Sequence, residues 1–331
     1  MPEISFTQLL ETPLNQILQG LGDADKVQTV KTTDTIAHLT GLMDCFEIRT
    51  MPILDAKTGK LVGVVSLVDV AKVLTPPSAK LPTKYLSQQG FILSQLFNVN
   101  EQMRIKTVAE VFDSILQLQP PIIVWTETLE NAIQKLIDKD ENNRRNRTLV
   151  ILDDRQRVVG TLSYVDVLRI IRNGSGIGAF LNERKANDVL NPEVVTHNKT
   201  DCLQDAMFTL RQSSFTHIPI TMVKGETLVI GMVDDVAVAT LHHKLLYQHL
   251  SKYPLGEMMT KVSDKNTVRL DCPVRTLIGK FVDGHERPTA ILVGDYEGEQ
   301  FTLAGIISYV DIFRKLLEFV DQMIDQQPGN H

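Results

Sequence analysis

A chain of 331 residues, 43% hydrophobic and 22% charged, has room for two globular domains with real cores, which excludes disorder over most of its length. A net charge of −6 with no long basic tract repels polyanions, so nucleic acid and acidic membrane surfaces are excluded as general partners and any phosphate must be held locally. No apolar run approaches the eighteen or so residues of a spanning helix, MPEISFTQLLETPL lacks the regions of a secretory signal, and Cys45, Cys202 and Cys272 show neither CxxC spacing nor an even number, which argues against disulfides and zinc.

The predicted elements follow one plan four times. An amphipathic lead-in, Pro13 to Leu18, precedes VQTVKTTDTI and a helix, then MPILD and LVGVV as two strands of a hairpin. A connection from Thr75 follows, where Pro76, Pro77 and Pro82 forbid a continued helix. The second unit repeats the plan with Val108 to Phe112, IIVWTETL, LVILD and VVGTL. NGSGIGAF, from Asn173, follows a helix and has GxGxG spacing, so it reads as a helix stop and a joint, not a dinucleotide loop. The third unit has Ala186 to Leu190, VVTHN, a helix with Leu203, Ala206, Met207 and Leu210 on one face, then HIPITM and TLVIGMV around Lys224-Gly225-Glu226. A second helix with Val236, Ala239 and Leu246 on one stripe is predicted after it, and the fourth unit has Leu255 to Met259, TVRLDCPV, TAILV and LAGII. The fold class is α/β, divided into residues 1–174 and 175–331.

Each first helix begins behind an acid, Asp34, Glu127, Asp201 or Asp271, which is expected where a helix N-terminus favours negative charge. The second strands carry glycines 63, 160, 231 and 305, spaced 97, 71 and 74 residues apart. Glycine inside a strand is costly and points to the close approach of another backbone or a ligand. Three residues beyond the glycine stands Ser66, Ser163 or Ser308, and six beyond it Asp69, Asp166 or Asp311; the third unit has Asp234 and Ala237 there.

Ser-x-x-Asp at a strand-to-helix junction can be a capping box, serine and acid satisfying two orphan backbone donors reciprocally. The third unit argues for more. It keeps a good cap in Asp234, yet loses both the acid and the arginine found upstream in the other units. The column before the hairpin reads Arg49-Thr50, Arg147-Thr148, Thr216-His217 and Arg287-Pro288. A shared ligand explains the joint loss, because guanidinium grips phosphate through paired donors and a carboxylate accepts both ribose hydroxyls.

The unit, a strand ending in an apolar pair and glycine, two apolar residues, serine and then aspartate opening a helix, resembles the CBS (cystathionine beta-synthase) repeat. The resemblance runs from about Pro13 to Val320 and implies four CBS repeats arranged as two tandem CBS pairs (Bateman modules). That organisation is similar to the gamma subunits of AMP-activated protein kinase. It implies clefts for AMP, ADP or ATP, with Asp69, Asp166 and Asp311 on ribose, Ser66, Ser163 and Ser308 beside them, and Arg49, Arg147 and Arg287 facing phosphate. Thr50, Thr148 and His217 stand at the same hairpin ends. The chain departs from those subunits in lacking the acid in its third repeat, where they lack it in the second, and in having no His-Arg pair before the hairpin strand.

There is no HExxH, GxSxG, GxxxxGK[ST] or CxxC, so no catalytic role is expected. Of His242, His243 and His249 only the first and last share a helix face, two turns apart, which is not metal-ligand spacing, and Arg144 and Arg145 read as a solvated loop. The resemblance implies an energy-sensing regulatory subunit, expected in the cytoplasm with the nucleus open to it, whose partners are protein kinase catalytic and scaffold subunits. The alternative is a stand-alone CBS scaffold that regulates another partner, such as a phosphatase.

Overall fold

Periodic apolar residues and turn chemistry produce the same small motif four times: a short strand, a helix, and an antiparallel hairpin. The computed structural model describes residues 6–19, 27–46, 48, 50–66, 69–70, 105–116, 120–139, 146–174, 177–212, 216–223, 227–234, 254–284 and 287–325. The proline-rich connection from Thr75, the Lys224–Glu226 turn, the third unit's second helix with Ala237, the three clustered histidines, Arg144 and Arg145 lie outside the described residues, as does Arg49.

Helices α1 (Phe6–Glu11) and α2 (Leu14–Gln19) come first. In the first unit β1 (Val30–Lys31) leads through α3 (Ile36–Cys45) to β2 (Thr50–Leu54), parallel to β1, and β3 (Leu61–Ser66) pairs antiparallel with β2. After α4 (Val108–Leu116) the second unit repeats this with β4 (Ile122–Val124), α5 (Leu129–Ile137), β5 (Thr148–Leu152), β6 (Val158–Ser163) and α6 (Tyr164–Asn173). Gly174 follows α6, and α7 (Gly178–Glu183) and α8 (Ala186–Val189) lead to the second half. The third unit is β7 (His197–Asn198), α9 (Leu203–Gln212), β8 (His217–Thr221) and β9 (Leu228–Asp234). A 3-10 turn at Leu255–Glu257 and β10 (Thr260–Lys261) precede β11 (Thr267–Val268), α10 (Val274–Val282), β12 (Ala290–Glu297), β13 (Gln300–Ser308) and α11 (Tyr309–Asp325).

Three of the four acids ahead of the first helices close the turn that precedes the helix. Asp34 Oδ2 accepts from Lys31 N–H at 2.7 Å, Glu127 Oε1 from Val124 N–H at 2.9 Å, and Asp201 Oδ2 from Asn198 N–H at 2.9 Å. They close the strand-to-helix turn, and the caps are the next residues: Thr35 accepts from His38 N–H and Thr128 from Asn131 N–H, both at 3.2 Å. Thr128→Ala is therefore expected to lower stability by about 1 kcal/mol, measured by urea unfolding. The hairpin turns use acids as well. Thr58, through its hydroxyl and N–H, holds the Asp55 carboxyl below its ordinary range, and the Arg157 N–H does the same to Asp153.

The lead-ins do not pack on the units they precede. Leu14 N–H donates to Glu127 O at 2.9 Å and Asn15 N–H to Trp125 O at 2.8 Å, so the first lead-in lies on the second unit. Reciprocally, Val108 N–H donates to Asp34 O at 2.8 Å and Ala109 N–H to Thr32 O at 3.0 Å. The other half repeats the exchange: Ala186 N–H reaches Cys272 O at 2.8 Å, and Leu255 N–H reaches Asp201 O at 2.9 Å. The cores record the same swap, with Val108 and Phe112 buried against Ile36, Leu39 and Met51, and Leu255 and Met258 against Leu203 and Ile218. Each such side chain contributes on the order of 1.5–3 kcal/mol by leaving water, so neither member of an exchanged couple is complete alone.

The exchange explains two of the strand glycines. A Cβ on Gly305 would lie 2.7 Å from Asn191 O, and one on Gly231 would lie 2.8 Å from Thr260 O. Both contacts come from the exchanged segments, whose Asn191 bridges Ile306 and whose Thr260 pairs with Met232. At these two positions the close neighbours are backbone and side chain of the exchanged segment, Met259 and Thr260 at Gly231 and Leu190 and Asn191 at Gly305, not a ligand. Gly160 differs, since its nearest neighbour is Ile151 Cδ1 at 3.2 Å.

The hairpins of the first half stay in separate three-stranded sheets, whereas those of the second half join through β9 and β13 into one seven-stranded sheet. The two halves then meet through their second and fourth units. Leu136, Leu168 and Ile171 share one continuous core with Leu277, Phe281, Phe313 and Leu316.

Candidate functional site

The three Ser-x-x-Asp motifs form real caps. Ser66 donates to Asp69 Oδ2 from its N–H at 3.0 Å and its hydroxyl at 2.5 Å, and Asp69 N–H returns to Ser66 Oγ at 3.3 Å. Ser163 and Asp166 repeat this at 2.9, 2.6 and 3.3 Å, and Ser308 donates twice to Asp311 Oδ2 at 2.7 Å. The reciprocal box is complete in the first two units, and in all three only one oxygen of the carboxylate, Oδ2, makes these bonds. In Asp166 the other oxygen, Oδ1, lies 3.5 Å from Arg169 Nη1.

Strand register decides which residues stand beside each cap. Thr50 is opposite Ser66, Thr148 opposite Ser163, His217 opposite Asp234 and Ala290 opposite Ser308. Tyr164 N–H donates to Arg147 O at 3.2 Å, so Arg147 and Asp166 belong to the same end of their unit. Thr148 Oγ1 lies 3.5 Å from Thr50 Oγ1, which joins the first and second units at these ends. One neighbourhood therefore gathers Thr50, Ser66 and Asp69 with Arg147, Thr148, Ser163 and Asp166.

The second half alters the sequence column in two places. Register puts Thr289, not Arg287, where Arg147 stands, because Ala290 is the partner of Ser308. Arg287 is two residues farther from the strand, so the apparent match of three arginines is out of step in the fourth unit. His217 is 7% exposed, its Nδ1 is 2.7 Å from Thr216 Oγ1 and its Nε2 is 2.6 Å from Thr289 Oγ1. Both ring nitrogens are engaged within the protein, and His217 joins the third and fourth hairpins through Thr289.

The strand face that carries the caps also differs between halves. Two residues before the serine or its equivalent stand Val64, Thr161, Met232 and Ile306. Thr161 is exposed and Val64 half-buried, whereas Met232 is packed with Val229, Ala290, Leu292 and Phe301 in an apolar cluster, Ile306 against it. Hydrophobic side chains fill the space between the hairpins of the second half.

Sequence reasoning missed Arg169. A signal was present: a base stands three residues after each acid, as Lys72, Arg169 and Arg314, and Thr240 replaces it in the unit that lacks the acid. Among the described residues no group of three or more His, Cys, Asp or Glu could hold a metal ion, and no helix is long and apolar enough to cross a membrane.

A β-α-β-β unit whose second strand ends in a serine-aspartate cap is the architecture expected of a CBS domain, and residues 23–76 match the CBS domain family. The chain is similar to the gamma subunit of the 5'-AMP-activated protein kinase of Dictyostelium discoideum, 26% identical over 166 residues that make up 50% of this chain and 25% of that protein. The matched stretch spans a quarter of that relative's length. A crystal structure of a Methanocaldococcus jannaschii protein, a proposed archaeal homologue of g-AMPK, superposes with a TM-score of 0.57 at 15% identity, over 90% of this chain and 99% of that one. A conserved Pyrococcus horikoshii protein superposes with a TM-score of 0.47 at 18% identity, over 81% and 91% of the two chains.

Proposed function

We propose that the chain is an adenine-nucleotide-binding regulatory subunit of an AMP-activated-type protein kinase, built from four CBS repeats in two tandem pairs, residues 1–174 and 175–331. The reciprocal exchange of lead-ins supports the pairing. The observation that carries the site is the Thr50–Thr148 contact, which unites two serine-aspartate caps with Arg147. Asp69 and Asp166 would take ribose hydroxyls, Ser66, Ser163, Thr50 and Thr148 would line the clefts, and Arg147, with Arg49, would face phosphate. Asp311 is the acid of a third, more crowded cleft, with Ser308 beside it and Arg287 at its margin.

A bound nucleotide alters a partner only through its different affinities for two states, and AMP, ADP and ATP differ in the charge they bring to Arg147. Arg147→Ala is expected to weaken ATP about tenfold and AMP about threefold, because each added phosphate gains charge-assisted bonds. Calorimetric titration of the purified protein with AMP, ADP and ATP tests the reading, and failure of all three to bind removes it. Kinase catalytic and scaffold subunits are the expected co-purifying partners from cytoplasm. A phosphatase with no kinase would favour the scaffold alternative, and ATP recovered unchanged after incubation would agree with a regulatory, non-catalytic role.

A further inference from the structure

Arg169 touches both the second-unit acid and the other half of the molecule. Its Nη1 lies 3.5 Å from Asp166 Oδ1, and its Nη2 donates to Val282 O at 3.3 Å. Val282 is the last residue of α10, the first helix of the fourth unit. One turn along α6, Arg172 Nη1 is 2.7 Å from Asp283 Oδ2, so this end of α10 is fastened to α6 by arginines on successive turns. The guanidinium of Arg169 is a rigid fork, and a partner that orients one arm also orients the other.

The ordinary explanation is an i, i+3 ion pair on a helix surface, which needs no ligand. It accounts for Thr240, since a base without an acid beside it has no role. The second bond, to a carbonyl in the opposite half, is left unexplained. Asp166 commits Oδ2 to its cap, and the oxygen that remains is the one Arg169 holds.

We propose that Arg169 is a positioning residue that couples the second-unit nucleotide site to the joint between the two halves. This rests on the reading of Asp166 as a ribose acceptor. A ribose hydroxyl donating to Oδ1 competes with Nη1, the fork loses the anchor that aims Nη2 at Val282, and the end of α10 loosens. Coupling is reciprocal, so holding the α10 contact opposes nucleotide binding.

Adenosine, which has no phosphate for an arginine to grip, is the probe. Arg169→Met is expected to raise adenosine affinity about threefold by calorimetry, because the acceptor oxygen is then available all of the time. In the unmodified protein, adenosine is expected to speed amide hydrogen exchange at residues 279–284, and in Arg169→Met that response disappears. Arg169→Lys keeps a charge for Asp166 without the second arm, so its adenosine affinity should rise by less than in Arg169→Met and its exchange response should be lost; it also serves if the methionine variant does not fold. Weaker adenosine binding in Arg169→Met, or an unchanged exchange response in both variants, overturns the coupling while leaving the ribose reading in place. If Asp166→Ala binds adenosine as tightly as the unmodified protein, the ribose reading fails and the coupling with it.

Discussion

Asp166→Ala is expected to weaken adenine nucleotide binding about ten- to a hundredfold, the worth of one or two hydrogen bonds to a charged acceptor. The expectation follows from how the carboxylate is divided, with Oδ2 holding Ser163 and Oδ1 directed away from the cap. The variant also removes half of a capping box, which lowers stability by about 1 kcal/mol whatever the acid does with ligand. Glu110 separates the two effects. Thr107 donates to Glu110 Oε2 from its N–H at 2.6 Å and its hydroxyl at 2.7 Å, and Glu110 N–H returns at 3.3 Å, the same box at a place with no proposed ligand. Glu110→Ala should match the stability loss of Asp166→Ala in thermal unfolding and leave calorimetric affinity alone. Equal affinities for the two variants would reduce the serine-aspartate motif to a cap. Asp311→Ala is expected to have less effect on binding than Asp166→Ala, because Met232, Leu292 and Phe301 fill the neighbouring face.

Gly305→Ala and Gly231→Ala are each expected to lower stability by about 2–3 kcal/mol, the range for forcing atoms into a packed site. The obstacles are carbonyl oxygens of exchanged segments, Asn191 O at 2.7 Å and Thr260 O at 2.8 Å, and backbone cannot rotate aside as a side-chain end can. Relief requires the lead-in to lift from the strand, which also exposes the apolar residues it carries. Gly160→Ala meets only the flexible end of Ile151 at 3.2 Å and should lower stability by less than about 1 kcal/mol. Denaturant unfolding of the three variants measures the contrast. Equal losses at all three positions would mean that the glycines serve strand conformation alone and that the exchange contributes little.

The hairpins were legible because their signals are local. LVGVV became β3, VVGTL became β6 and HIPITM became β8, each within a residue or two, since alternation and a turn lie within a dozen residues of one another. The apolar stretches ahead of the first helices form only short strands, VVTHN at His197–Asn198 and TVRLDCPV at Thr267–Val268. The turn-closing role of Asp34, Glu127 and Asp201 was not legible, since a carboxylate closing a turn three residues back and one beginning a helix look the same in a string of letters.

The candidate site was half legible. Ser163 and Asp166 share a local spacing, and their cap forms as that spacing allows. Arg147 and Asp166 come together because β5 and β6 pair, which the hairpin pattern implied. Arg287 was placed by counting from a strand whose start was misjudged, and two residues of displacement suffice to lose the match. His217 is buried by Thr289, seventy-two residues away, and no pattern in the chain announces that bond.

The repeat itself, its strands and helices, the serine-aspartate caps and the defective third copy follow from the order of residues alone, because each depends on neighbours within a few turns or one hairpin. The exchange of lead-ins, the filling of the second half's hairpin face and the fork of Arg169 between two units were decided only in three dimensions. The four lead-ins are chemically alike, each an apolar stripe fit for any of the four cores, and the choice among cores is made by chain connectivity and by the space beside Gly231 and Gly305.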